Sequence, residues 1–318
     1  MDNNWLNVQL NVDTTAGDFG DLAYRWLDQM SMSLAPRARL EMAPVPAEFV
    51  YSRQQPGPLG GPESLFGEVH TWHWAEGEVF EIQTQTRQAS TAGMEWLRSQ
   101  LAQRLPYKTM LGFWKAGQGD HPSNSLASLL VRHIERSSAW LRLEATLPEV
   151  QFLHPEHGDQ YQRRYLDALW PFADQLDPGY GHVDDNFDGD STFERCMRTP
   201  DRPRDWWDHD YSVNHCRSFL RGYSWLTIVP QELVQPLGGI QALTDSGAFA
   251  QVRPLANGGA WLLATDDYRH FDHEALHRVF RAVAPVLHPG TPTNHPRYPG
   301  GPPYRLIFQD AADAASHQ

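Results

Sequence analysis

The chain has 318 residues, 41% of them hydrophobic and 12% aromatic, with 26 basic and 39 acidic side chains and a formal net charge of -13. So much apolar and aromatic material excludes a disordered polymer and supplies a core for one or two domains. The acidic balance makes the chain a poor candidate for binding nucleic acid, so no nucleic acid and no anionic membrane surface is expected as a partner.

The first segment, Trp5 to Val12, places Leu6, Val8, Leu10 and Val12 on one face and reads as a half-buried strand. Asp18 is positioned to cap a helix whose stripe is Phe19, Leu22, Trp26, Leu27 and Met30, with Pro36 beyond it. A strand near Glu48 to Arg53 precedes a Pro/Gly-rich loop from Gln54 to Pro62. Strands at Glu68–Trp74 and Glu78–Thr86 turn at Glu76-Gly77, and a helix from Ala92 to Leu105 stops at Pro106. Three more strands follow, Thr109–Lys115, Ser125–Ile134 and Ala139–Thr146, the last two forming a hairpin. A helix from about Gln160 to Leu176 carries Tyr161, Tyr165, Leu169 and Phe172.

From Arg217 the compact pattern resumes. It gives a strand at Gly222–Val229, a short helix from Gln231, and a second helical turn ending near Ser246-Gly247. A hairpin through Asn257-Gly258 follows, then a helix from Asp272 to Val286. Strand, helix, hairpin and helix recur in both parts. The expected class is therefore α+β, with mixed or antiparallel sheets covered by helices and two similar packed halves as one arrangement. The expected divisions are residues 1–176, an acidic irregular connection at 177–216, and 217–318 with its Pro/Gly-rich tail. No apolar run reaches the ~20 residues that cross a bilayer, and the first ten residues lack a signal-peptide pattern. Two cysteines, Cys196 and Cys216, build no disulfide framework, so a cytoplasmic setting is expected.

Between Asp174 and Asp210 lie eleven acidic and four basic residues, a net of -7. Within it, Asp184-Asp185-Asn186-Phe187-Asp188-Gly189-Asp190 follows the first seven positions of a calcium loop, with oxygens at one, three, five and seven and Gly at six. Asp184, Asn186, Asp188 and Asp190 are the metal-ligating candidates, and calcium is the one cofactor the spacing offers. Position twelve is Arg195 rather than Glu, so the pattern stops short, and a solvated acidic loop is the plainer account. His270, His273 and His277 fall at helical spacing and are the alternative metal set. His209, His215 and Cys216 cluster in sequence without the pairing that an activated thiolate needs. No Gly-x-Gly-x-x-Gly, Walker or Gly-x-Ser-x-Gly motif is present. Trp72 and Trp74 read as core, whereas Trp206-Trp207, flanked by Asp205 and Asp208, suit either local packing or an interface anchor.

The run Arg221-Gly222-Tyr223-Ser224-Trp225-Leu226-Thr227-Ile228-Val229-Pro230-Gln231-Glu232-Leu233, followed by Leu237-Gly238-Gly239, resembles bacterial immunity proteins of the type VI secretion and polymorphic-toxin class. The likeness covers roughly residues 178–289, including Leu255 to Thr265. It implies a non-enzymatic protein that binds and neutralises a cognate toxin by covering its active site, and it carries no catalytic set. Joined to the charge, it makes Asp184, Asp185, Asp188, Asp190, Trp206, Trp207, Asp208 and Asp210 the expected contacts with a toxin that has a basic cleft. The rival readings are a metal-dependent enzyme using the acidic loop or the three histidines, and a housekeeping scaffold that associates with itself.

Overall fold

The structure, a computed structural model, describes residues 5–13, 18–41, 65–74, 82–116, 122–134, 140–185, 193, 194, 197, 212–292, 307 and 309–316. The chain divides into two compact units, and neither is continuous in sequence. Unit 1 is Met1–Asp13, Glu149–Arg163 and Trp170–Gln318; unit 2 is Thr14–Pro148 and Arg164–Leu169.

Unit 2 carries five antiparallel strands in the order β3-β2-β4-β5-β6. They are β2 (Leu65–Trp74), β3 (Ile82–Gln88), β4 (Lys108–Ala116), β5 (Pro122–Ile134) and β6 (Trp140–Pro148). The odd-numbered residues Leu111, Phe113, Leu129, Val131, Leu141 and Leu143 are buried. On this unit's sheet pack α1 (Phe19–Leu34) and α3 (Thr91–Gln103), burying Trp26, Leu27, Met30, Leu97 and Leu101. Asp18 caps α1 as expected, accepting from the Gly20 and Asp21 amides at 2.8 and 3.2 Å, and Ser90 caps α3 through Gly93 N at 3.1 Å. The two helices approach so closely at Gly20 that a Cβ there would lie 2.5 Å from the Leu101 carbonyl oxygen.

Unit 1 carries β1 (Trp5–Asp13), β7 (Tyr180–Asp185), β8 (Leu226–Val229), β9 (Gln251–Pro254) and β10 (Ala260–Leu263). Their order is β1-β7-β8-β10-β9, all antiparallel. The α+β class with antiparallel sheets and helices is therefore the observed one. The β9–β10 hairpin turns through Gly258 at φ +87, the left-handed conformation that Asn-Gly sequences favour. The helix His273–Val283 is capped by Asp272, whose carboxylate accepts from Ala275 N at 2.9 Å. Phe152, Trp225 and Tyr268 meet edge to face with centroids 5.4–6.0 Å apart, and Tyr268 donates from its hydroxyl to the buried Glu149 at 2.8 Å.

Several expectations need correction. The units do not break at residues 176 and 217, because β1 pairs with β7 and so joins the carboxy-terminal strands. The acidic connection is not irregular at its start: Tyr180–Asp185 is a strand hydrogen-bonded on both sides. Residues 222–225 are outside β8, since Ser224 N donates to Thr227 Oγ1 and Ser224 Oγ to the Leu226 carbonyl, folding the backbone into a turn. The helix Ala311–Ser316 in the Pro/Gly-rich tail was not expected, and the expected strand at 48–53 lies outside the described residues. Among the described residues no helix is long and apolar enough to cross a membrane.

Candidate functional site

Of the residues singled out by sequence, only some fall among the described ones. Asp184 sits on β7 opposite Asn7 and is only 2% exposed. Its carboxylate therefore belongs to the interior of unit 1 rather than to a solvated loop. Asp185 ends the strand opposite Leu6. Asn186, Asp188, Asp190, Trp206, Trp207, Asp208 and Asp210 lie outside the described residues. His270 and His273 are exposed and His277 is half-buried, with the His273 and His277 rings 6.4 Å apart. Among the described residues no three His, Cys, Asp or Glu side chains are grouped so as to hold a metal ion, so the three histidines do not form one centre. Burial pushes the Cys216 thiol up to about 12, which leaves it a neutral core residue at physiological pH.

What the fold assembles instead is a polar interior in unit 1. On β1 the residues between the apolar ones are Asn7, Gln9 and Asn11, and all three are buried. Register sets them opposite Asp184, His182 and Tyr180 on β7, while His182 in turn lies opposite Thr227 on β8. Gln9 Nε2 donates to Asn11 Oδ1 at 2.9 Å, and the His182 Nδ1 and Tyr180 hydroxyl are 3.0 Å apart. Among the described residues, neither atom of the Asn7 side-chain amide has a hydrogen-bond partner. The strand expected to be half-buried is thus buried on both faces, one apolar and one polar.

Arg221, 4% exposed, lies beside this row with its guanidinium 5.4 Å from the Tyr180 ring. It grips Glu194 through both carboxylate oxygens at 2.7 and 2.8 Å. Ser212 completes the group, accepting from Arg221 Nε at 3.3 Å and donating to Glu194. Glu194 and Ser212 flank residues 195–211, so both ends of that interval converge on one buried cation. A second arginine does similar work nearer the surface: Arg217 reaches Asp13 at 3.0 Å, Asp177 at 3.3 Å and Glu232 at 3.0 Å. Asp177 is the helix-terminating residue at φ 47, and burial raises its carboxyl above the usual range against the opposing pull of Arg217.

These contacts redistribute the acidic segment. Of its eleven carboxylates, Asp177 and Glu194 are matched by arginines, Asp184 is buried, and Asp174 accepts from Ala256 N at 2.9 Å. Counted by unit, the negative charge is concentrated in unit 1, with -7 of it still in residues 174–210. Its 24 acidic and 13 basic residues give -11, whereas unit 2, with 15 and 13, carries -2. Exposed carboxylates of unit 1 include Glu156, Asp159, Asp266 and Glu274. Arg269 partly offsets this set through Asp159 and Asp267.

The polar row escaped sequence reading because alternating Leu-x-Val-x-Leu-x-Val looks the same whether the intervening face meets water or protein. The one available signal was chemical, in that three side-chain amides stand where a solvent face normally carries Lys and Glu. No protein-family model matches the chain, and no curated protein matches it. Among solved structures, the chain is similar to a T6SS protein of Pseudomonas aeruginosa, at 12% identity, over 96% of this chain and 78% of that one, with a TM-score of 0.49.

Proposed function

We propose that the chain is an immunity-like protein that binds and neutralises a cognate bacterial toxin stoichiometrically, without catalysis, through the acidic surface of unit 1. The observation that carries this reading is the placement of -11 of the net -13 in one compact unit. A surface of one sign raises the association rate of an oppositely charged partner and blocks a basic cleft as a substrate anion would. Asp184 is withdrawn from the contact set by its burial. Asp185, Asp188, Asp190, Trp206, Trp207, Asp208 and Asp210 stay in it, joined by Glu156, Asp159 and Glu274.

The test is co-purification and calorimetry with the product of the adjacent open reading frame. A one-to-one complex is expected, with an association rate that falls steeply between about 50 mM and about 500 mM salt as the charges are screened. A complex whose formation ignores salt, or no complex at all, overturns the reading.

A further inference from the structure

On unit 2 the even-numbered sheet face is put together by strand register. Lys108 on β4 lies across from Arg132 on β5, which lies across from Arg142 on β6, while Trp72 on β2 lies across from Lys108. Directly opposed side chains on neighbouring strands stand ~5 Å apart, where like charges repel. Arg142 is matched, donating from Nε to Glu144 at 2.6 Å. Lys108 and Arg132 are not. Each rests on a ring, Lys108 Nζ at 4.9 Å from Trp72 and the Arg132 guanidinium at 5.5 Å from Tyr107. Neither has a hydrogen-bond or ion-pair partner among the described residues. Burial, helped by Arg132 and Arg142, pushes the Lys108 ammonium below the ordinary lysine range, against the pull of Glu144.

Tyr107 also meets Trp74, with ring centroids 5.0 Å apart. Among the described residues, the buried Trp74 Nε1 and Arg132 Nε both lack an acceptor. Lysine, arginine and tryptophan donate and do not accept. The set is therefore short of acceptors and holds two positive charges in excess once Arg142 is offset by Glu144. A phosphate monoester supplies several acceptor oxygens and a charge of about -1.5 to -2 at neutral pH, and the arginine fork suits its geometry; a carboxylate brings only one charge. Trp72 is already flanked by Lys108 and by His70, stacked at 5.5 Å. The half-buried Trp74–Tyr107 pair is the aromatic surface beside the cations, and bases stack on such rings.

We propose that Lys108 and Arg132 bind the phosphate of a nucleoside monophosphate, with the Trp74–Tyr107 pair against its base. The proposal does not depend on the immunity reading, which concerns unit 1. The experiment is titration of the full chain with adenosine monophosphate, followed by calorimetry and tryptophan fluorescence, with inorganic phosphate and adenosine in parallel. Saturable one-to-one binding is expected, tighter for adenosine monophosphate than for either fragment. Lys108→Gln and Arg132→Gln should each weaken it about tenfold or more, the usual loss for one charge-assisted contact. Removing an unmatched cation relieves repulsion, so both variants should melt no lower than the parent and remain readable. Trp74→Leu should weaken the nucleotide while leaving inorganic phosphate unchanged. No saturable binding, parental affinity in the Lys108→Gln/Arg132→Gln double variant, or inorganic phosphate binding as tightly as the nucleotide would each overturn the assignment.

Discussion

Replacing Glu194 with Ala probes how the interior of unit 1 is held together. Arg221 is 4% exposed and Glu194 8%, so deleting the carboxylate removes the bidentate counter-charge of a guanidinium with little access to water. Ser212, at 3.3 Å from Arg221 Nε, offers a neutral acceptor but no charge. Breaking a buried pair on one side costs about 3–5 kcal/mol, whereas replacing both members with apolar residues of similar volume is often neutral or stabilising. Glu194→Ala and Arg221→Met should therefore each destabilise the fold by about 3 kcal/mol or more, and Glu194→Leu/Arg221→Met should recover most of the loss. At about 2–4 °C per kcal/mol for a unit of this size, each single variant should melt about 6–12 °C lower by circular dichroism. A fall below about 2 °C, on the same scale, would refute the view that this buried pair contributes substantially to stability. A double variant no more stable than either single one would do so as well.

Asn7 gives the opposite sign. With both amide atoms unmatched in a buried site, Asn7→Leu should be neutral or stabilise by about 1 kcal/mol in urea unfolding, and a loss larger than that would place an acceptor or a bound water at the amide. Cys216, its thiol raised to about 12 by burial, should resist a thiol reagent at pH 8 in a Cys196→Ser background until the protein is unfolded; rapid native labelling counts against that burial. Asp267 is held well below the usual carboxylate range, first by its hydrogen bonds from Arg269 and then by Gln162. A carboxyl lowered by folding adds stability that is complete above its unfolded value, about 3.9, and fades as the pH falls through the folded one. Asp267→Asn should accordingly flatten the loss of stability below about pH 4, and an unchanged acid limb in thermal melts argues against the contribution.

Elements whose signals are local were legible in the sequence. Asp18 caps the helix it was expected to cap, Asn257-Gly258 turns a hairpin, and the helix near 160–176 follows its aromatic stripe. Features that depend on distant partners were not. In Trp5–Val12 only the three side-chain amides hint that the second face is covered, and nothing names Tyr180–Asp185 as its neighbour. Trp72 and Trp74 read as core because the even-numbered face of unit 2 comes into being only when Lys108, Arg132 and Arg142, on three separate strands, fall into register. Carboxylates counted along the chain also overstated the local field, since Asp184 and Glu194 turn inward.

The pairing of β1 with β7 also has a consequence during synthesis. Leu10 emerges from the ribosome long before Gly181, the residue it faces. At about 5–20 residues per second, the leading strand waits roughly ten to thirty-five seconds for its mate. Meanwhile nearly all of unit 2 is already out and free to condense. Throughout that delay Leu6, Val8, Leu10 and Val12 form an open, sticky ribbon of the kind that chaperones shield, so the early translation product, rather than the finished fold, is the stage most exposed to aggregation.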